Sequence, residues 1–181
     1  SGLPIFKVEK ERGSEQHEVA LLHTRDIAKL ISDTEQLMHR IKSLAQAHDM
    51  LASFAAKPVA DEPGNGLHVH VHLEDESGKN LYWKREEEMS EALAYSIGGL
   101  LATMRDHLDV FFPTAESRAR IVAASNAPTT VSWGANNRTC AIRLPDKAWD
   151  NKHIEHRVAG ADVDVANVVE VILSGIDRKS V

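Results

Sequence analysis

Apolar residues recur along this chain with two different periods, and the switches between them mark out its elements. Ile5 to Val8 reads as a short strand running into a charged, glycine-bearing turn over 9–18, and Val19 to Leu22 as the strand leaving it. Thr24 suits a helix N-cap, and Ile27, Leu30, Ile31, Leu37, Met38, Ile41, Leu44 and Ala45 then follow at helical spacing, which predicts a long helix whose apolar stripe is core. Leu51 to Ala56 reads as a strand closed by Lys57-Pro58.

Beyond the Pro63-Gly64-Asn65-Gly66 turn signal the period becomes two. Leu67, Val69, Val71 and Leu73 share one face of a strand, and His68, His70 and His72 share the other. The polar, glycine-bearing segment 75–79 before Leu81-Tyr82-Trp83 predicts a hairpin, which places the histidines on an antiparallel pair. Met89, Leu93, Ile97, Leu100, Leu101, Met104 and Leu108 predict a second helix over 86–108, in which Gly98 and Gly99 permit close packing more readily than function. Thr129 to Trp133, Thr139 to Leu144 and His153 to Val158 are β-rich runs, and a closing helix spans about 163–176. The predicted fold is α+β, an antiparallel sheet covered by long helices.

With 181 residues, 43% of them hydrophobic, the chain suits one domain or one large fragment of a domain. A net charge of −6 argues against a nucleic-acid partner, and the many carboxylates suit hard divalent cations. The single cysteine, Cys140, excludes an internal disulfide and fits a reducing, cytoplasmic setting. No apolar run is long enough to suggest a membrane partner.

Polar groups on otherwise apolar strands are the candidates for chemistry: Glu11, Glu18, His68, His70, His72, Arg138, Arg143, Glu155 and Arg157. Carboxylates with imidazoles can hold Mg²⁺ or Mn²⁺, and arginines beside a metal point to phosphate. Each feature has a plainer reading. Exposed strand faces carry polar residues, Glu155 and Arg157 at a spacing of two make an ordinary ion pair, and His39, His48 and His107 suit solvated surface. No Gly-x-x-x-x-Gly-Lys-Ser/Thr loop is present to hold a nucleotide.

As an ordered set the motifs resemble the catalytic region of glutamine synthetases and their γ-glutamyl-amine ligase relatives. Gly64-Asn-Gly-Leu-His68-Val-His70 is similar to the family's G-[SN]-G-x-H-x-H, Asn126-Ala-Pro with Asn137-Arg138-Thr and Ile142-Arg143-Leu-Pro145 to its A-P…N-R-[ST]…I-R-x-P, and Ile154-Glu155-His-Arg157 to its I-E-x-R. Residues 11–18 resemble its E-x-G-P-G-Q-x-E loop, and Ala56-Lys57-Pro58 its A-K-P. The resemblance implies that Glu11 and Glu18 ligate one divalent metal and His68 with Glu155 another, that His70 contacts ATP, and that Arg138 and Arg143 hold phosphates. It further implies that Arg120 and Arg157 bind glutamate carboxylates and that Gly64 offers its backbone to the amino acid. The implied reaction consumes ATP to form γ-glutamyl phosphate, from which ammonia or an organic amine displaces phosphate.

Departures from the pattern carry information of their own. Ser14 and Glu15 replace the Pro-Gly of the acidic loop, Asn126 stands where ammonia-using members carry a glutamate, and His72 where serine is common. The family's preceding strand, with a further pair of metal-binding glutamates, and its small N-terminal β domain have no counterpart in residues 1–181, so the resemblance is to a partial catalytic domain. On that reading each metal is under-coordinated, the chain alone is inactive, and a homo-oligomer is implied only for a full-length parent. Two other classes are weighed: a non-catalytic metal-binding or assembly relative, and a zinc hydrolase built on the H-x-H strand, which leaves the arginine motifs unexplained.

Overall fold

The computed structural model describes residues 2–82, 84, 88–122, 126–146 and 151–178. An antiparallel hairpin opens the chain, β1 (Ile5–Lys10) with β2 (His17–Leu21), followed by the long helix α1 (Ile27–Ala47). The remaining strands β3 (Val69–Val71), β4 (Thr130–Ala135), β5 (Cys140–Leu144) and β6 (Ile154–His156) form one sheet in the order β3-β6-β5-β4. Helix α2 (Glu91–Thr103) runs through a 3₁₀ turn into the short α3 (Leu108–Phe111), and α4 (Ala115–Ala119) and α5 (Val165–Asp177) complete the fold.

One face of this sheet is core. Val69 and Val71 of β3, Ile142 and Leu144 of β5 and Ile154 of β6 pack with Leu93, Ile97 and Leu100 of α2 and Val168 and Ile172 of α5. The α+β reading therefore holds, with two differences. The histidine strand pairs with β6, its neighbour across the sheet, while the turn over 75–79 makes a short antiparallel closure, with Glu74 bridged to Asn80 and Leu81 N–H donating to the Leu73 carbonyl at 2.7 Å, and Trp83 lies outside the described residues. The sheet is also mixed, because β4 and β5 run parallel. A four-residue connection normally makes a hairpin. Here Asn136 adopts a left-handed φ of +47° and donates its N–H to the Leu144 carbonyl at 2.8 Å, turning the chain so that β5 restarts beside Thr130.

Four further expectations change. Asp26, rather than Thr24, caps α1: its side chain accepts from the Lys29 N–H at 2.9 Å, and Thr24 Oγ1 accepts from Asp26 N at 3.1 Å. The α1 stripe is largely not core, since Leu37 is its one buried apolar residue and Leu44 is 62% exposed. Leu51 to Ala56 forms no strand, because the Ala55 and Ala56 carbonyls accept from the Asn65 side chain and backbone instead of from a ladder. The second helix starts at Glu91, where Ser90 accepts from Leu93 N, and 86–87 lies outside the described residues.

Behind the sheet, His156 is 1% exposed and stacks 4.9 Å from Phe111. Burial pushes its pKa from the usual 6.5 down to about 3, so the folded chain keeps it neutral while the unfolded chain protonates it. Its contribution is intact above pH 6.5 and is lost progressively as pH falls from there toward 3. At 1.36 kcal/mol per pH unit, acidification from pH 6.5 to 5 is expected to weaken folding by about 2 kcal/mol through this group. Urea midpoints across that range check it. A His156→Phe chain that keeps the wild-type slope would remove His156 as the cause.

Candidate active site

The other face of the sheet gathers the polar groups. The register sets His70 opposite Glu155, and strand alternation then puts His68, His70 and His72 of the β3 segment on the same side as His153, Glu155 and Arg157 of the β6 segment. Arg143 enters from β5, directly beside Glu155.

Glu155 is the hub, at 3% exposure. Its Oε1 accepts from Arg157 Nη1 at 2.7 Å and lies 3.2 Å from His68 Nδ1, while its Oε2 accepts from Arg143 Nη1 at 2.7 Å. Burial alone would raise this carboxyl. The His68 ring, Arg157 and Arg143 together override burial and hold it far below the usual carboxylate range. Arg143 is steadied from its other side by Asn136 Oδ1 at 2.7 Å, and Arg157 by the Asn126 carbonyl at 3.1 Å.

Arg120 approaches from the residue after α4 and is 4% exposed. Its Nη2 donates to the Val158 carbonyl and, at 3.0 Å, to that of Ala159. Burial, with repulsion from Arg157, lowers its pKa to about 10. Gly64 lies against it: a Cβ there would overlap the Arg120 Cγ and the Ala56 carbonyl, so only glycine lets the turn close over the stem of this arginine. The result is two guanidinium groups on one carboxylate with a third, Arg120, beside Arg157, and the Nε–H donors of Arg120, Arg143 and Arg157 all lack an acceptor. Buried donors in that state suit an anionic occupant.

The acidic loop docks beside this face. Gln16 Nε2 donates to the Gly64 carbonyl at 3.0 Å and to Asn65 Oδ1 at 2.8 Å, and Ser14 bonds Glu62 through its N–H at 3.0 Å and its hydroxyl at 2.7 Å. Ser14, a departure from the family loop, is thus an anchor for its path. Glu11 is exposed at the end of β1, and Glu18 on β2 lies 3.5 Å from Lys7. Arg138 sits on the exposed loop 136–139, outside the buried cluster. The structure therefore joins His68, Glu155, Arg143 and Arg157 directly, sets Arg120 and Gly64 next to them, and leaves Glu11, Glu18 and Arg138 at the margins.

As metal donors, His68 and Glu155 fit one edge of an octahedral divalent site, whose adjacent ligands lie about 3 Å apart. They do not complete one. Among the described residues no group of three His, Cys, Asp or Glu is gathered to hold an ion, and both Glu155 oxygens already serve arginines. His70 keeps exposed surface on the same face. Desolvation by the protein around it, more than the opposing pull of Glu155, lowers its pKa to about 4. His153 and Asn136 join the site without being among the candidates the sequence offers. His153 could have been found from its period-two relation to Glu155, whereas nothing in the sequence ties Asn136 to Arg143.

The profile of the glutamine synthetase catalytic domain matches residues 1–180. The chain is 33% identical over 174 residues to gamma-glutamylputrescine synthetase of Escherichia coli K12, covering 96% of this chain and 37% of that protein. It is 34% identical over 182 residues to a glutamine synthetase of Pyrococcus horikoshii, covering 98% and 40%. It is 31% identical over 179 residues to glutamate–isopropylamine ligase of a Pseudomonas species, covering 97% and 39%. The chain thus spans about two fifths of the length of these relatives. With the profile running from end to end, the chain belongs to the glutamine synthetase family, in its catalytic domain.

Proposed function

We propose that this chain supplies the anion-binding face of an ATP-dependent ligase that joins an amine to the γ-carboxylate of glutamate through γ-glutamyl phosphate. The observation that carries the reading is the unsatisfied Nε–H donors of three buried or half-buried guanidinium groups, Arg143 and Arg157 on Glu155 and Arg120 beside Arg157. In the first step a glutamate carboxylate oxygen bonds the γ-phosphorus of ATP and the bond to ADP breaks. In the second, the amine nitrogen bonds the acyl carbon, phosphate leaves, and the nitrogen loses a proton.

Arg143 and Arg138 face the transferring phosphoryl group, and fixed positive charge there stabilises both the transfer and the departing phosphate. Arg120 and Arg157 take the glutamate carboxylates and Gly64 the amino-acid backbone, while His70 contacts the nucleotide. Glu11, Glu18, His68 and Glu155 are this chain's share of donors for Mg²⁺ or Mn²⁺, completed by groups other than those described. The isolated chain is accordingly inactive.

Asn126 bears on the amine. Its neutral amide cannot take a proton from ammonium as a carboxylate would, and two relatives are named for organic amines. An organic amine is therefore the co-substrate. The test is phosphate release by the protein that carries this chain, assayed with glutamate and ATP against ammonia, monoamines and diamines. Release dependent on glutamate and greater with an organic amine is expected, with Arg143→Ala losing about 10²–10³-fold in kcat. Release independent of glutamate, or none with any amine, would overturn the reading.

A further inference from the structure

The acidic loop first closes on itself. Glu11 N donates to the Gln16 carbonyl at 2.9 Å, Gln16 N to that of Gly13 at 3.3 Å, and Gly13 N to Gln16 Oε1 at 3.2 Å, so residues 11–16 form one compact turn. Gln16 and Ser14 then tie that unit to the 62–65 turn. Gln16 Nε2 reaches the Gly64 carbonyl and Asn65 Oδ1, and Glu62 takes both donors of Ser14, the N–H on Oε2 at 3.0 Å and the hydroxyl on Oε1 at 2.7 Å.

The 62–65 turn is anchored in its own right. Asn65 donates through its side chain to the Ala55 carbonyl at 2.9 Å and through its N–H to that of Ala56 at 2.8 Å, and its own carbonyl accepts from Ala161 N at 3.1 Å. Lys57 Nζ donates to the Glu62 carbonyl, and Gly64 packs on Arg120. An unbroken run of hydrogen bonds therefore leads from the acidic loop, through this turn, to the segment after β6.

The plainer reading of Ser14 and Glu62 is two surface groups in contact, which is worth little in water. Three observations count against it. One residue occupies both oxygens of the carboxylate, which fixes its orientation as a single bond does not. Gly13 is buried beside the pair, where a Cβ would lie 3.0 Å from Glu62 Oε2 and 2.9 Å from Gln16 Cβ, so the loop is packed at close range onto the carboxylate. The bonds also depend on serine, because the proline it replaces in the loop pattern has neither an N–H nor a hydroxyl to give. A turn that proline would stiffen by its fixed φ is held here from outside.

We propose that Glu62 is a positioning residue: by gripping Ser14 it latches the loop between Glu11 and Glu18 to the turn that carries Gly64, so that metal donors and amino-acid turn are held as one unit. The role of that unit rests on the ligase reading above, whereas the latch itself does not.

Trypsin cleavage of the 181-residue chain after Arg12, followed by mass spectrometry under native conditions, tests the latch, with circular dichroism to show that each variant is folded. Cleavage is expected to be about tenfold faster in Glu62→Ala and about threefold faster in Ser14→Ala, which keeps the backbone donor. The double variant should be cleaved no faster than Glu62→Ala, since one contact can be broken only once. Glu15→Ala removes a neighbouring charge and should match wild type. Equal cleavage of wild type and Glu62→Ala, single effects that multiply in the double variant, or a Glu15→Ala chain cleaved as fast as Glu62→Ala would overturn the latch. In the protein that carries this chain, Glu62→Ala should raise the glutamate KM by about fivefold, with Glu15→Ala unchanged, whereas loss of folded protein lowers kcat alone. An unmoved glutamate KM would overturn the positioning role even where the cleavage pattern holds. Wild-type protein without glutamate-dependent turnover would remove the ligase reading instead, and the cleavage pattern would still decide the latch.

Discussion

Replacing Glu155 with leucine is expected to cost about 3–5 kcal/mol of folding stability, read from urea unfolding of the 181-residue chain. The carboxylate is 3% exposed and is the charge partner of both Arg143 and Arg157 at 2.7 Å. Removing it leaves two guanidinium groups facing each other in a low-dielectric site, with His68 losing its partner 3.2 Å away. That penalty comes from uncompensated charge and desolvated donors, not from lost packing. Glu155→Gln keeps two acceptor lone pairs but no charge, so it should fall between leucine and wild type. The pH dependence has a definite sign: the folded carboxyl lies below its ordinary 4.5, so its contribution is present above that value and lost as pH falls beneath it. A loss under about 1 kcal/mol for Glu155→Leu would mean that the pair behaves like a solvated surface bridge, and the hub would be misread.

That hub was legible from sequence in outline. A period of two put Glu155 and Arg157 on one face and His68 and His70 on another, and the register then showed the two faces to be the same one. Arg143 could be recognised only as one polar residue in an alternating strand, and its approach to Glu155 depends on β5 pairing with β6 across 12 residues of sequence. The elements that failed did so for tertiary reasons. Leu51 to Ala56 has strand-like composition, yet Asn65 takes its carbonyls before any ladder can. The α1 stripe has the period of a core helix, but among the described elements its main packing partner is α5, so much of the stripe stays open. Periodicity reports what a helix could bury, and only the neighbours decide what it does bury. The parallel β4–β5 pair had no local signal except Asn136, one of the residue types that tolerate a left-handed φ. The donors for a whole metal site could not be counted from motifs alone. The motifs supplied pairs, and the fold leaves His68 and Glu155 as a pair.

Gly99→Ala is expected to destabilise the chain by about 1–3 kcal/mol, and Gly98→Ala to leave it unchanged or more stable by up to about 1 kcal/mol. The two glycines are adjacent in α2 and equally unfavourable there by propensity, yet they face different surroundings. A Cβ on Gly98 would meet nothing within 4 Å. A Cβ on Gly99 would overlap the carbonyl oxygen of Gly175, because α2 and α5 cross with their backbones in contact at that point. Gly175 completes the crossing from its own side: a Cβ there would lie 2.9 Å from Thr103 Oγ1 and 3.1 Å from Leu100 Cδ2. Neither backbone can yield locally, so a methyl group at Gly99 forces the helices apart and loosens Leu100, Val168 and Ile172, which pack the rear of the sheet. The strands on that sheet carry the arginine cluster on their other face, so the substitution should also unsettle the anion site without touching it. Thermal or urea unfolding of the two single variants, measured side by side, separates backbone propensity from packing. Equal effects at the two positions would mean that the close crossing of α2 and α5 does not determine the stability of this fold.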